Sequence, residues 1–166
     1  MRVIGIDPGV AITGYGIIEE SGNDYSCLAS GCVRTHKDRG PASRLQEIHD
    51  FVVDLVAEYD PQGLVVEKLF FSKNVRTAFQ VGEARGVIIL AAARCSIDLF
   101  EYTPLQVKQA VAGYGKAEKI QVQKMVQMLL KLPALPKVDD EADALAVALC
   151  HLQNRRFQEA IKGGKT

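Results

Sequence analysis

Four carboxylates, Asp7, Glu67, Asp140 and Asp143, stand where packing explains them least. Asp7 ends the apolar run Val3-Ile4-Gly5-Ile6, and Glu67 ends the run Leu64-Val65-Val66. Asp140 and Asp143 open a segment whose following residues, Ala144 to Cys150, are all apolar. Ionised carboxylates beside core-forming segments resist desolvation and repel one another unless a cation joins them. A hard divalent metal answers that need, and oxygen ligands without a convergent His/Cys set favour Mg²⁺ or Mn²⁺ over zinc. Two such ions about 3.5–4 Å apart activate water on one side of a phosphate and stabilise the leaving 3′-oxygen on the other. The chemistry these residues suit is phosphodiester cleavage.

Each acid taken singly has a plainer reading. Asp7 and Glu67 could be ordinary strand-end acids, and acids in a first helical turn complement the helix dipole. Asp139 or Asp140 fits that role, whereas Asp143 lies deeper in the turn. Asp140 and Asp143 are three apart and share a helix face, but Asp139 and Asp143 are four apart and share one too. Spacing therefore leaves Asp139 and Asp140 open as partners of Asp143. Glu141 should point elsewhere.

The elements that must position these residues follow from pattern. Arg2–Asp7, Thr13–Glu19 and Tyr25–Arg34 read as three strands with short connections, hence an antiparallel meander. Leu45, Ile48, Val52, Leu55 and Tyr59 mark an amphipathic helix with Ser43 as its N-cap, closed by Asp60-Pro61. Gly63–Glu67 is a short continuous apolar strand of the buried parallel kind. A loop over Lys68–Asn74 leads to a helix over Val75–Arg94, and Ser96–Glu101 reads as a fifth strand. Thr103-Pro104 starts a helix that breaks at Gly113-Tyr114-Gly115 and resumes over Ala117–Leu132. The last helix is expected over Asp140–Phe157, with 158–166 a disordered tail beyond a single domain of residues 1–157. The fold class is α/β: one mixed five-stranded sheet, antiparallel in strands 1–3 and parallel in strands 4–5, with helices on both faces. Ligands collect beyond the carboxyl ends of strands in such sheets, where Asp7 and Glu67 both lie.

Composition agrees. With 48% apolar and 24% charged residues, the 166-residue chain is ordinary for one globular domain. Neither a membrane-length apolar stretch nor a secretory leader is visible. Cys27, Cys32, Cys95 and Cys150 lack CxxC spacing, which points to buried reduced thiols in a cytoplasmic protein. The formal charge of zero hides a separation: residues 1–67 hold 5 Lys/Arg against 11 Asp/Glu, and residues 68–138 hold 11 against 4. An acidic centre bordered by a basic surface suits a polyanion gripped near a metal.

Several strings occur in order that together resemble one family. They are Ile4-Gly5-Ile6-Asp7-Pro8-Gly9, Val65-Val66-Glu67-Lys68-Leu69-Phe70, Lys73-Asn74, Ala84-Arg85-Gly86-Val87, Thr103-Pro104-Leu105-Gln106-Val107-Lys108 and Asp140-Glu141-Ala142-Asp143-Ala144-Leu145-Ala146. The chain resembles the RuvC family of bacterial Holliday-junction resolvases, crossover junction endodeoxyribonucleases, over about residues 1–157. The resemblance implies a ribonuclease-H-like fold and a homodimer that makes paired symmetric nicks in four-way junction DNA, leaving 5′-phosphate ends. It implies two Mg²⁺ ions per site, with Mn²⁺ a substitute, held by Asp7, Glu67, Asp140 and Asp143, and so favours Asp140 over Asp139. It also implies DNA contacts from Phe70, Lys73, Asn74, Arg76, Lys108, Lys116 and Lys119, a branch-migration motor as a partner, and a role in recombination, repair and the SOS response of a bacterial cytoplasm.

Other features divide between plain and functional readings. Gly82 and Gly86, four apart on the second helix, suit close packing on the sheet or, by resemblance, a two-fold interface. His49 and His151 fall on helices as surface or packing residues. The Gly5-to-Gly9 string with Gly14 and Gly16 also occurs in actin-like ATPases and sugar kinases, which need two such domains.

Overall fold

The computed structural model describes residues 1–68 and 75–163, without the side chains of 75, 76, 160, 162 and 163. Its strands are β1 (Arg2–Asp7), β2 (Ile12–Ser21), β3 (Asp24–Arg34), β4 (Gly63–Glu67) and β5 (Asp98–Tyr102). Its helices are α1 (Pro41–Tyr59), α2 (Val75–Arg94), α3 (Pro104–Ala112), α4 (Lys119–Leu129) and α5 (Asp139–Gly163). The sheet order is β3-β2-β1-β4-β5. β1, β2 and β3 pair antiparallel, and β4 joins β1 and β5 in parallel. The expected mixed sheet is the one observed.

Alternate residues of a strand face opposite sides, and the two cores divide on that rule. Ile4, Ile6, Ile17, Leu64 and Val66 pack with Ile48, Val52 and Leu55 of α1 and Ala84, Ile88 and Ala91 of α2. Val3, Ile18 and Val65 pack on the other face with Val107, Val111, Val122, Val126 and the apolar run of α5. Helices therefore cover both faces. Among the described residues, none is long and apolar enough to cross a membrane.

Glycine decides how close α5 comes to the sheet. A Cβ on Gly5 would lie 2.0 Å from the Ala144 carbonyl oxygen, and one on Gly14 would lie 1.9 Å from that of Asp140. At Gly16 it would meet the Leu145 side chain at 2.5 Å. Three glycines thus bring the backbone of α5 against β1 and β2, and the acids at its start are carried there. The far end of α5 is tied down by charge. Glu20 of β2, 4% exposed in its side chain, pairs with Arg155 and, at 2.6 Å, with Nε of Arg156. Arg156 also donates to Tyr25 at 3.1 Å.

Four details differ from pattern. α1 starts at Pro41 with Gly40 as N-cap and no side-chain cap bond, so Ser43 is inside the first turn. Proline at the first helical position supplies the fixed φ a helix start needs and has no N–H to satisfy. α5 runs past Phe157 to Gly163, helped by an Arg155–Glu159 pair four residues apart at 2.6 Å. Only Cys150 of the four thiols is buried; Cys27, Cys32 and Cys95 are half-buried. Gly86 does not pack on the sheet, since a Cβ there would meet nothing within 4 Å. Thr103 does cap α3 as expected, its hydroxyl accepting from the Gln106 N–H at 3.2 Å in a capping box.

Candidate active site

β1 and β4 run parallel with Ile6 beside Val66, so the last residues of the two strands, Asp7 and Glu67, lie side by side at one end of the sheet. Asp7 is opposite Gly14 of β2, the residue on which the Asp140 carbonyl rests. One close contact thus sets the start of α5 above Asp7. The helix turn then carries Asp143 to the same face as Asp140.

The electrostatics record this convergence. Asp7 is pushed up to about 7 by burial first, then by Asp143, Asp140 and Glu67, with Lys119 pulling the other way. Burial and then Asp143 raise Glu67, against the attraction of Lys108 and Lys119. Burial also raises Asp143, opposed by a hydrogen bond from Lys119, with Asp139 and Asp140 adding repulsion. Asp140 therefore contributes to the field at Asp7. Asp139 instead accepts from Gln123 at 2.9 Å and faces Lys119 at 3.3 Å. Glu141 points away, accepting from Ser30 at 2.7 Å.

Lys119 is bonded to this cluster, with Nζ 2.9 Å from Asp143 Oδ2. Burial opposes its charge, but the bonds to Asp143 and Asp139 outweigh that and hold its pKa above the usual lysine value. Among the described residues no group of three or more His, Cys, Asp or Glu side chains is arranged to hold a metal ion as it stands. Asp143 spends an oxygen on Lys119 instead. The donor set still fits a hard divalent ion, because the chain offers four acids there to two lysines, Lys119 and Lys108, and holds Asp7 about half-protonated near neutral pH.

Lys108 lines a cavity of about 200 Å³ together with Glu67, Lys119 and Asp143. Lys116 is exposed in the segment between α3 and α4. Phe70, Lys73 and Asn74 lie outside the described residues, and Arg76 is on α2 with its side chain outside them. His151 is a packing residue: it is buried, bonded through Nδ1 to the Tyr102 hydroxyl at 3.0 Å, and stacked 4.0 Å from Phe100.

Sequence pattern did not reveal the Lys119–Asp143 pair, because it joins α4 to α5 across a connector. Nor did it reveal Gly14 as the seat of Asp140. The spacing of Gly14 and Gly16, two apart on one strand face, was the available signal.

Known proteins resemble this chain in sequence and fold. A family model described as "Crossover junction endodeoxyribonuclease RuvC" matches residues 3–151. The protein of that name from Pelotomaculum thermopropionicum is 51% identical over 162 residues, covering 98% of this chain and 99% of its own. The Thermus thermophilus RuvC structure superposes with a TM-score of 0.88 at 35% identity, covering 95% of this chain and 97% of that one. T. thermophilus RuvC in complex with Holliday junction substrate gives 0.87 at 33% identity, covering 95% and 96%. With this sheet order, these acids at the strand ends and this similarity along nearly its whole length, the chain belongs to the RuvC family of crossover junction endodeoxyribonucleases.

Proposed function

We propose that the protein is a Holliday-junction resolvase: a metal-dependent endonuclease that makes paired, symmetric nicks in four-way DNA junctions during recombination and repair. The observation that carries the reading is the cluster of four acids from β1, β4 and α5, where burial first and then the neighbouring carboxylates raise Asp7 to about 7. Membership of a family whose relatives carry that activity in their name supports it.

Asp7, Glu67, Asp140 and Asp143 would hold the metal, two Mg²⁺ ions or Mn²⁺ in their place. When bound, the metal supplies charge stabilisation for in-line attack of water on a phosphodiester, leaving a 5′-phosphate and a 3′-hydroxyl. The chain's own residues do the rest. Asp7 would hold the metal only in its deprotonated form, so binding would depend on pH near neutrality. Lys119 neutralises Asp143 through its 2.9 Å contact, and its charge would serve a phosphate if Asp143 held the metal. Lys108, in the same cavity, fixes the strand by a phosphate contact. Phe70, Lys73, Asn74, Arg76 and Lys116 extend the DNA surface, with residues 1–157 as the nuclease unit.

A homodimer completes the reading. On α2, Phe79 is 70% exposed and Leu90 51%, and Gly86 opens between them onto empty space. Positions i, i+7 and i+11 share a helix face, so these residues form an apolar stripe with a gap that a second backbone can approach. A two-fold axis through it presents two sites to two symmetry-related strands. A branch-migration motor is the expected partner, and a bacterial cytoplasm under DNA-damage control is the expected setting.

The test incubates the protein with a labelled mobile four-way junction and with linear duplex, with and without Mg²⁺. Paired symmetric nicks in the junction alone, dependent on metal, are the expected result. Equal cutting of duplex, or cutting in EDTA, would overturn the proposal.

A further inference from the structure

The acids are bordered by two grooves. Lys108 and Lys119 line the cavity beside Glu67 and Asp143. A second groove, about 380 Å³, lies on the Asp140 side, between the β1–β2 turn at Gly9 and the α2 residues Thr77 and Gln80. Its cation is Arg44 of α1.

Arg44 is built into this groove. Its Nε donates to Thr35 Oγ1 at 2.8 Å. Thr35 is itself buried, its hydroxyl donating to the Val10 carbonyl and its N–H to that of Ala11 at 3.2 Å. The guanidinium is thus pinned to the β1–β2 turn along one edge. Nearby Arg39 is committed to Glu47 at 3.0 Å. Among the described residues Arg44 forms no ion pair. A half-buried guanidinium, fixed by Nε and with its terminal nitrogens unclaimed by a carboxylate, is a fork preset for a phosphate. Asp140 on the groove wall would repel that phosphate unless a cation sat on the acids.

We propose that Arg44 clamps a backbone phosphate of the cut strand on the Asp140 side of the acids, opposite the lysine groove. The strand would then cross the carboxylates from one groove to the other, held on both sides of the scissile bond. The inference rests on the reading of the acids as a DNA-cutting centre. It adds a residue and a strand path to that reading.

The experiment measures junction binding by fluorescence anisotropy over a range of salt, in Ca²⁺ to prevent turnover, for the wild type and Arg44→Gln. Junctions carry a single neutral methylphosphonate at each phosphate flanking the cleavage point in turn. Arg44→Gln should weaken binding about tenfold and lower the salt slope by about one. One methylphosphonate should weaken the wild type by a similar factor while costing the variant nothing further. Unchanged affinity and slope in Arg44→Gln, or equal losses for both proteins at every modified phosphate, would overturn the assignment. Arg44→Lys guards against misfolding: it keeps the charge, so it should retain the slope and the response to that one phosphate while losing part of the affinity that the bidentate fork supplies. If the wild type shows no preference for junction over duplex, the underlying reading falls and this inference with it. If the preference is present but Arg44 is silent, the clamp alone is wrong.

Discussion

Replacing Asp7 by asparagine should stabilise the metal-free protein while abolishing its nicking. Burial, then Asp143, Asp140 and Glu67, raise the Asp7 carboxyl from 3.8 to about 7. The native state therefore keeps a proton that the unfolded chain gives up near pH 4. The stability this proton confers is complete below the unfolded value and is lost as pH rises through about 7. A shift of about three units corresponds to a ceiling of about 4 kcal/mol. Salt screening and partial solvent access reduce the expected gain for Asp7→Asn at pH 8 to about 2 kcal/mol. That is roughly 4–8 °C in Tm for a chain of this size. The assay is thermal unfolding of both proteins in EDTA and in Mg²⁺, at pH 8 and near pH 4. In EDTA the variant should melt higher at pH 8, with the gap closing as the pH falls. Mg²⁺ at pH 8 should narrow the gap by stabilising the wild type alone. A variant no more stable than wild type at pH 8 without metal would refute the reasoning, as would a gap of equal size at pH 4.

Gly14→Ala puts a methyl 1.9 Å from the Asp140 carbonyl oxygen and should lift the start of α5. A cost of about 1–3 kcal/mol and a tenfold or larger loss of nicking are expected, whereas Gly40→Ala, with nothing within 4 Å, should change neither; normal nicking by Gly14→Ala would count against the geometry. Lys119→Met removes the ammonium from Asp143 and Asp139, so calorimetry without DNA should find tighter Mn²⁺ binding while junction affinity falls. Weaker Mn²⁺ binding would mean that the lysine aids metal capture instead of opposing it. Glu20→Gln leaves Arg155 and Arg156 without their buried partner and should cost about 2 kcal/mol in urea unfolding. Nicking at 25 °C should be preserved, because the clamp lies at the opposite end of α5 from the acids.

Much of this architecture was legible because it rests on local pattern. The apolar runs ending in Asp7 and Glu67 could be only buried strands, and the Thr103-Pro104 start of α3 carries its own cap chemistry. The short connections from β1 to β3 left an antiparallel meander as the simple solution. Local pattern misled at Ser43, where Pro41 supplied an earlier start, and at Phe157, where an ion pair one turn on keeps α5 helical. Convergence of the acids was a different kind of information. Asp7 and Glu67 become neighbours through parallel pairing across sixty residues, which spacing does not encode. Between Asp139 and Asp140 the helix period could not choose. Tertiary packing distinguishes them: the Asp140 backbone rests on Gly14 and its carboxylate acts on Asp7, while Gln123 and Lys119 draw Asp139 toward α4. Arg44 was silent in the sequence because its anchor, Thr35, gains meaning only once the β1–β2 turn is folded against it.

Direct titration of Mn²⁺, followed by electron paramagnetic resonance without DNA, tests the central claim most closely. Wild-type protein at pH 8 should bind Mn²⁺ saturably and release it to excess Mg²⁺. Asp7→Asn, still folded, should bind at least tenfold more weakly. Equal Mn²⁺ affinity in the two proteins would place the metal elsewhere and leave the four acids without the purpose assigned to them.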